Sequence, residues 1–114
     1  MHFYYRGLPN GHPRFGEGSQ GICRPIRSSG QLSPLQHNLG IPGSAFSQYT
    51  SWTSERAVAE MHAVTLSGRG LLLMLPTTPA RPGDEWQWVG SPDHFGEKEV
   101  LLLGERFDCE VIIL

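Results

Sequence analysis

The sequence predicts an α+β fold of mainly antiparallel strands with one or two short helices. Runs with strand periodicity recur along the chain, at 3–6, 45–53, 70–76, 84–89, 99–103 and 107–114. A sustained helical stripe occupies a single segment, 55–65. Strands and helices do not alternate regularly, so the crossover units that build parallel sheets are not implied.

The 114 residues fit one domain, 1–114, and a chain of this size buries roughly 65% of its unfolded surface. Nine Lys and Arg against eleven Asp and Glu leave a net charge of −2. That balance argues against a general electrostatic grip on nucleic acid or anionic lipid. Met1 leads straight into His2-Phe3-Tyr4-Tyr5 without a charged region or an apolar core, and no stretch is long enough to span a bilayer. No membrane partner and no export signal are expected of this segment. Cys23 and Cys109 have neither CxxC nor metal-ligand spacing, so two buried thiols and no metal are expected.

Taken in order, Phe3-Tyr4-Tyr5 reads as a strand ending at Arg6-Gly7, before the turn signal Leu8-Pro9-Asn10-Gly11. Between Gly11 and Gly43 no periodicity is sustained, and a connection of that length is usually a functional surface loop or hides an element. The best hidden element is a short helix at 34–39, with Ser33 as cap, Pro34 at its first position and Gly40 as stop. Arg14, Arg24 and Arg27 are scattered through this region, where they are solvated or meet a diphosphate.

From Ala45 to Thr53 the residues alternate: Phe46, Gln48, Thr50 and Trp52 share one face, and Ser47, Tyr49, Ser51 and Thr53 the other. Ser54 is placed to cap a helix over 55–65, whose apolar stripe is Ala57, Val58, Met61 and Val64. Gly70 to Pro76 is an apolar run bounded by breakers, as a buried central strand requires. Asp84 to Val89 alternates again, with Trp86 and Trp88 on one face, where core is the commoner role for tryptophan. Glu99 to Leu103 and Phe107 to Leu114 close the chain as strands, joined by Gly104-Glu105-Arg106 into an expected hairpin.

The chemistry-bearing stretch is Glu97-Lys98-Glu99, at the mouth of the strand that runs to Leu103. On a strand, a period of two puts both carboxylates on one face. Alone the pair reads as a charged strand edge. Ahead of it in the chain lie an arginine ending a first strand and a hydroxyl-rich strand entering a helix, and the ordered set is more specific than any member.

In Tyr4-Tyr5-Arg6-Gly7, Tyr49-Thr50-Ser51-Trp52-Thr53-Ser54 with Ala59 downstream, and Phe95-Gly96-Glu97-Lys98-Glu99-Val100-Leu101-Leu102, the chain resembles the arginine–serine–glutamate branch of the ADP-ribosyltransferase superfamily. That branch includes bacterial mono-ADP-ribosyltransferase toxins. The resemblance covers the first seven residues and the region from Ala45 to the end. It implies a small split β-sandwich that holds NAD as co-substrate in a cleft and transfers ADP-ribose to an acceptor, with loss of nicotinamide and without a metal.

By the same resemblance Glu99 faces the NAD ribose, Glu97 serves the acceptor and Ser51 orients Glu99. Arg6 and Gly7, with Ser51 and Thr53, hold NAD. Ser51-Trp52-Thr53 departs from the family's usual Ser-Thr-Ser, and a register using Thr53 and Ser54 is the alternative. The nicotinamide-stacking residue stays open among His62, Trp88, Phe95 and Tyr49. Protein arginine is the favoured acceptor and nucleic acid the second, chosen through the loop at 90–96. A secreted or delivered effector with a cognate immunity protein is implied by analogy alone. The other readings are an NAD glycohydrolase and a non-catalytic β-rich interaction module.

Overall fold

The apolar run at 71–75 becomes the buried centre of the protein: Leu71, Leu72, Leu73 and Leu75 expose none of their surface. A strand buried on both faces needs no polar alternation, which is why this run is continuously aliphatic. The computed structural model describes residues 2–25, 49–65, 68–90 and 99–114.

Over those residues the elements are β1 (Phe3–Leu8), α1 (Phe15–Gly18), β2 (Tyr49–Thr53), α2 (Arg56–Ala63), β3 (Val64–Thr65), β4 (Gly68–Arg69), β5 (Leu71–Pro76), β6 (Gln87–Gly90), β7 (Glu99–Leu103) and β8 (Glu110–Ile113). Six strands form one antiparallel sheet in the order β6-β7-β2-β1-β5-β8, and β3 with β4 forms a small separate ribbon. The fold is α+β. No helix among the described residues is long and apolar enough to cross a membrane.

The sheet has a weak seam. Six residue pairs join β1 to β5 and five join β2 to β7, but among the described residues β1 and β2 register through Tyr5↔Thr53 alone. On either side of the seam the two halves curl toward a common core. Tyr4 of β1 and Trp88 of β6 lie two intervening strands apart in the sheet, about 14 Å if it were flat at ~4.8 Å per strand. Their ring centroids are nevertheless 4.6 Å apart, edge to face. Trp88 also meets Trp52 at 5.5 Å and Trp86 at 6.1 Å, so aromatic contacts close the fold across the core. Both tryptophans of the 86–88 pair pack against core residues, as their shared face predicts.

Helix α2 covers the opposite face of β1. Ala59 and Ala63 are buried to 1% and 0%, and Gly7 lets the helix come close: a Cβ at Gly7 would stand 2.0 Å from the Ala59 carbonyl oxygen. Small residues on both sides make this contact possible.

Several sequence expectations need correction. Strand β1 continues past Arg6 through Gly7 and Leu8, because all six of its residues find partners on β5. Helix α2 ends at Ala63 instead of Thr65, since Val64 and Thr65 pair with Arg69 and Gly68 in the ribbon. Ser54 does not cap it: the cap position is Glu55, which has no side-chain cap bond, and the Glu55 N–H donates to Thr53 Oγ1 at 3.0 Å.

The expected hairpin of the last two strands does not form. Strand β7 pairs with β2 and β6, while β8 crosses to the far edge and pairs with β5. Gly104 starts the departure, with a positive φ of 90° and the Glu85 carbonyl oxygen 2.5 Å from where a Cβ would be. Arg106 then bridges to Cys23, exchanging backbone hydrogen bonds of 2.8 and 2.9 Å.

The 11–43 region contains order that the sequence does not announce. The turn of helix α1 at 15–18 is braced by Glu17, which takes hydrogen bonds from Arg14 and Arg24, while Arg14 also donates to the Pro25 carbonyl. The expected helix at 34–39, Arg27 and residues 45–48 lie outside the described residues. Cys23 and Cys109 are free thiols and buried, as expected.

Candidate active site

The site is built at the seam. Thr53 is the pivot, facing Tyr5 of β1 on one side and Glu99 of β7 on the other. Period two then places Ser51 on the face of Thr53, opposite Leu101, so Ser51 and Glu99 stand on a diagonal. Register therefore makes Thr53, more than Ser51, the direct cross-strand neighbour of Glu99.

Where pairing between β1 and β2 stops, a side chain takes over. The Arg6 guanidinium reaches across the seam, and its Nη1 donates to the Ser51 carbonyl oxygen at 3.0 Å. This bond ties the arginine to the hydroxyl-bearing strand at its main chain. Burial pulls the pKa of Arg6 below its ordinary range, with Cys23 and Cys109 opposing that shift. A guanidinium stays protonated in a protein, so the consequence is a poorly hydrated cation. Among the described residues no carboxylate forms an ion pair with it. A desolvated cation with unspent donors favours an anionic ligand with planar, paired oxygens.

Arg6, Gly7, Ser51, Thr53 and Glu99 all line one cavity of about 390 Å³, within the size range of small-molecule sites. These are the described members of the sequence-derived set. Glu97 and Phe95 lie outside the described residues, as does the loop from 91 to 96. Gly7 earns its place by packing, since the cavity wall it forms is where α2 approaches β1.

The residue between the two hydroxyls has a different job. Trp52 is 1% exposed and its ring packs in the core, with Nε1 donating to Thr50 Oγ1 at 3.0 Å. The same hydroxyl lies 3.4 Å from Cys23 Sγ. Of the two departures from Ser-Thr-Ser, Trp52 falls on a core-facing position and Thr53 keeps a hydroxyl at the third. Ser54 is exposed in the bend after β2.

His62, from α2, lines the cavity; Trp88 belongs to the core cluster. The walls also include Tyr5, Pro9, His12, Trp52 and Val58, to none of which the sequence assigned a site role. A signal for His12 was present: Pro9-Asn10-Gly11 reverses the chain immediately after β1 and returns the next residue toward Arg6. The His12 N–H donates to the Pro9 carbonyl at 2.9 Å, which closes that turn. Burial, then Arg6 and Arg14, hold its pKa below the usual value.

No family model, curated protein or solved structure matches this chain. Among the described residues no group of three or more His, Cys, Asp or Glu side chains is arranged to hold a metal ion.

Proposed function

We propose that the protein is an NAD-dependent mono-ADP-ribosyltransferase with a split, curled sheet of the kind the family resemblance implies. The observation that carries the reading is convergence. Arg6, Ser51, Thr53 and Glu99 were singled out from separate stretches of sequence, and all four line a single cavity. The single-pair seam between β1 and β2 supports this reading, since a split sheet needs a cleft between its halves.

The chemistry follows from the residue types. Cleaving the bond between nicotinamide and ribose sends the bonding pair to the nicotinamide nitrogen, so the departing ring is neutral and positive charge grows on the ribose. A carboxylate fixed nearby stabilises that charge. Glu99 is the carboxylate for this step, held at the start of β7. Arg6 binds the diphosphate, with its guanidinium already oriented by the Ser51 carbonyl. Ser51 and Thr53 offer hydroxyls on the face that Glu99 occupies. The acceptor nucleophile then bonds to the ribose carbon and gives its proton to a base, the role the resemblance assigns to Glu97.

Protein arginine is the favoured acceptor, with a nucleic-acid group second. A secreted effector restrained by an immunity protein is the setting that suits such an activity.

The test uses NAD labelled on its adenylate phosphate, incubated with the protein and with either agmatine, arginine-containing protein or nucleic acid. Released nicotinamide together with label on one acceptor is the expected result. Nicotinamide without any labelled acceptor makes the protein a glycohydrolase. Absence of turnover, with no rise in melting temperature on adding NAD, overturns the reading in favour of an interaction module.

A further inference from the structure

His12 is the cavity residue whose chemistry the transferase reading leaves unused. It reaches the cavity by a fixed path: its N–H is bound to Pro9, its carbonyl accepts the Phe15 N–H at 3.0 Å, and its Nδ1 accepts the Arg14 N–H at 2.9 Å. A ring nitrogen that accepts from a backbone N–H carries no proton of its own. The neutral tautomer is therefore set, with the proton on Nε2, leaving a donor at the ring's other edge. Arg6 and His12 line the same cavity, and Arg14 bears on the same imidazole.

We propose that His12 Nε2 is a second donor to the diphosphate of the dinucleotide, beside the Arg6 guanidinium. The inference rests on the transferase reading, since it takes NAD as the ligand. Three features favour the diphosphate over the sugar or base. Arg6 is a cation without an ion-pair partner among the described residues. His12 is a neutral donor that needs no proton uptake to make its first bond. Arg6 and Arg14 both act on the imidazole, and among the described residues only Arg14 of the two is ion-paired, with Glu17.

The charged and titratable groups around His12 are Arg6 on β1, Arg14 in its own turn, Glu17 on α1 and, on the other walls of the cavity, His62 of α2 and Glu99 of β7. Glu17 is engaged with Arg14 and Arg24. Burial and the two arginines keep the imidazole neutral in the empty site. Protonating the ring would cost the bond from the Arg14 N–H to Nδ1, so His12 meets the diphosphate as a neutral Nε2 donor.

The experiment measures binding of ADP-ribose, ADP and adenosine by calorimetry, because these lack the scissile bond and report on binding alone. Wild type, His12→Ala and His12→Gln are compared at about pH 7.5, above the ordinary histidine range, after thermal melts confirm folding. His12→Ala is expected to bind ADP-ribose and ADP about ten- to a hundredfold more weakly, the usual effect of losing a hydrogen bond to a charged group, with adenosine unchanged. His12→Gln keeps a neutral donor, so it recovers most of the affinity. In turnover assays the loss appears in KM with kcat nearly unchanged.

If wild type binds ADP-ribose and His12→Ala binds it equally well, the role of His12 is overturned and the transferase reading stands. Equal weakening of adenosine places His12 elsewhere on the ligand and also overturns it. If wild type binds neither NAD nor ADP-ribose, the transferase reading fails and the inference fails with it.

Discussion

Gly7→Ala tests a close backbone contact beside the site. The added Cβ would lie 2.0 Å from the Ala59 carbonyl oxygen and 3.0 Å from the Ala63 backbone nitrogen. Ordinary contact begins near 3.4 Å, so the helix must retreat by about 1.4 Å along that direction. Both opposing atoms are backbone and no flexible side chain can yield. Ala59 and Ala63 are buried to 1% and 0%, so the movement also loosens their packing. Overpacking of this kind costs about 1–3 kcal/mol and occasionally more, and a rigid helix backbone as the obstacle places Gly7→Ala at the upper end. For a chain of 114 residues that corresponds to a fall in Tm of roughly 10 °C. The site is disturbed as well, because α2 carries Val58 and His62 into the cavity. The matched control is Gly90→Ala: a Cβ there meets none of the described residues within 4 Å, so a change of about 0.5 kcal/mol or less is expected. Urea unfolding of both variants supplies the comparison. A Gly7→Ala protein within about 0.5 kcal/mol of wild type would refute the packing argument.

Thr50→Val keeps the shape of a buried side chain, 3% exposed, but removes the acceptor of the Trp52 Nε1 proton. An unsatisfied buried donor costs about 1–3 kcal/mol, measurable as a shift in urea midpoint at unchanged slope; no shift would show that another acceptor serves Trp52. Cys109 is pushed up to about 12 from 9.0, chiefly by burial and then by Cys23 and Asp108, so the folded protein holds this thiol proton more tightly than the unfolded chain. Its contribution to stability is complete below pH 9 and is lost as pH rises from 9 toward 12. Denaturant midpoints taken from pH 8 to 11 should therefore fall with alkalinity, less steeply in Cys109→Ser, and parallel curves for the two proteins would contradict the assignment. At pH 8 neither native thiol should react with a thiol reagent within minutes, and both should react in denaturant, because burial pushes Cys23 upward too.

What could be read from the sequence was local. The apolar run of β5, the alternation over Tyr49–Thr53 in β2 and the strand over Glu99–Leu103 depend on periodicity and breakers, and the structure places these stretches as the pattern indicates. Partner choice was not legible. A glycine-containing turn after Leu103 looks like a hairpin, but the edge of β5 offers Ile113, Ile112, Val111 and Glu110 four aligned partners across the molecule. The apolar edge of a buried strand outweighs the nearer partner, and only tertiary context reveals it. The end of α2 was misplaced for a related reason: Val64 continues the helical stripe, but it also favours a strand and finds Arg69 opposite. At the site, identifiable residue types marked Arg6, Ser51 and Glu99. The reach of Arg6 across the seam depends on where β1 and β2 stop pairing, which no local pattern encodes. His12 escaped notice because its importance comes from the turn that carries it back to Arg6.

The central claim is that a carboxylate at the start of β7 drives cleavage of NAD beside an arginine-bound diphosphate. Nicotinamide release measured for wild type, Glu99→Gln and Glu97→Gln tests it most directly. Glutamine preserves size and hydrogen bonding while removing charge. The account predicts that Glu99→Gln loses at least about a hundredfold in nicotinamide release while still binding ADP-ribose. It predicts that Glu97→Gln retains NAD hydrolysis and loses transfer to the acceptor. Undiminished nicotinamide release by Glu99→Gln would contradict the account.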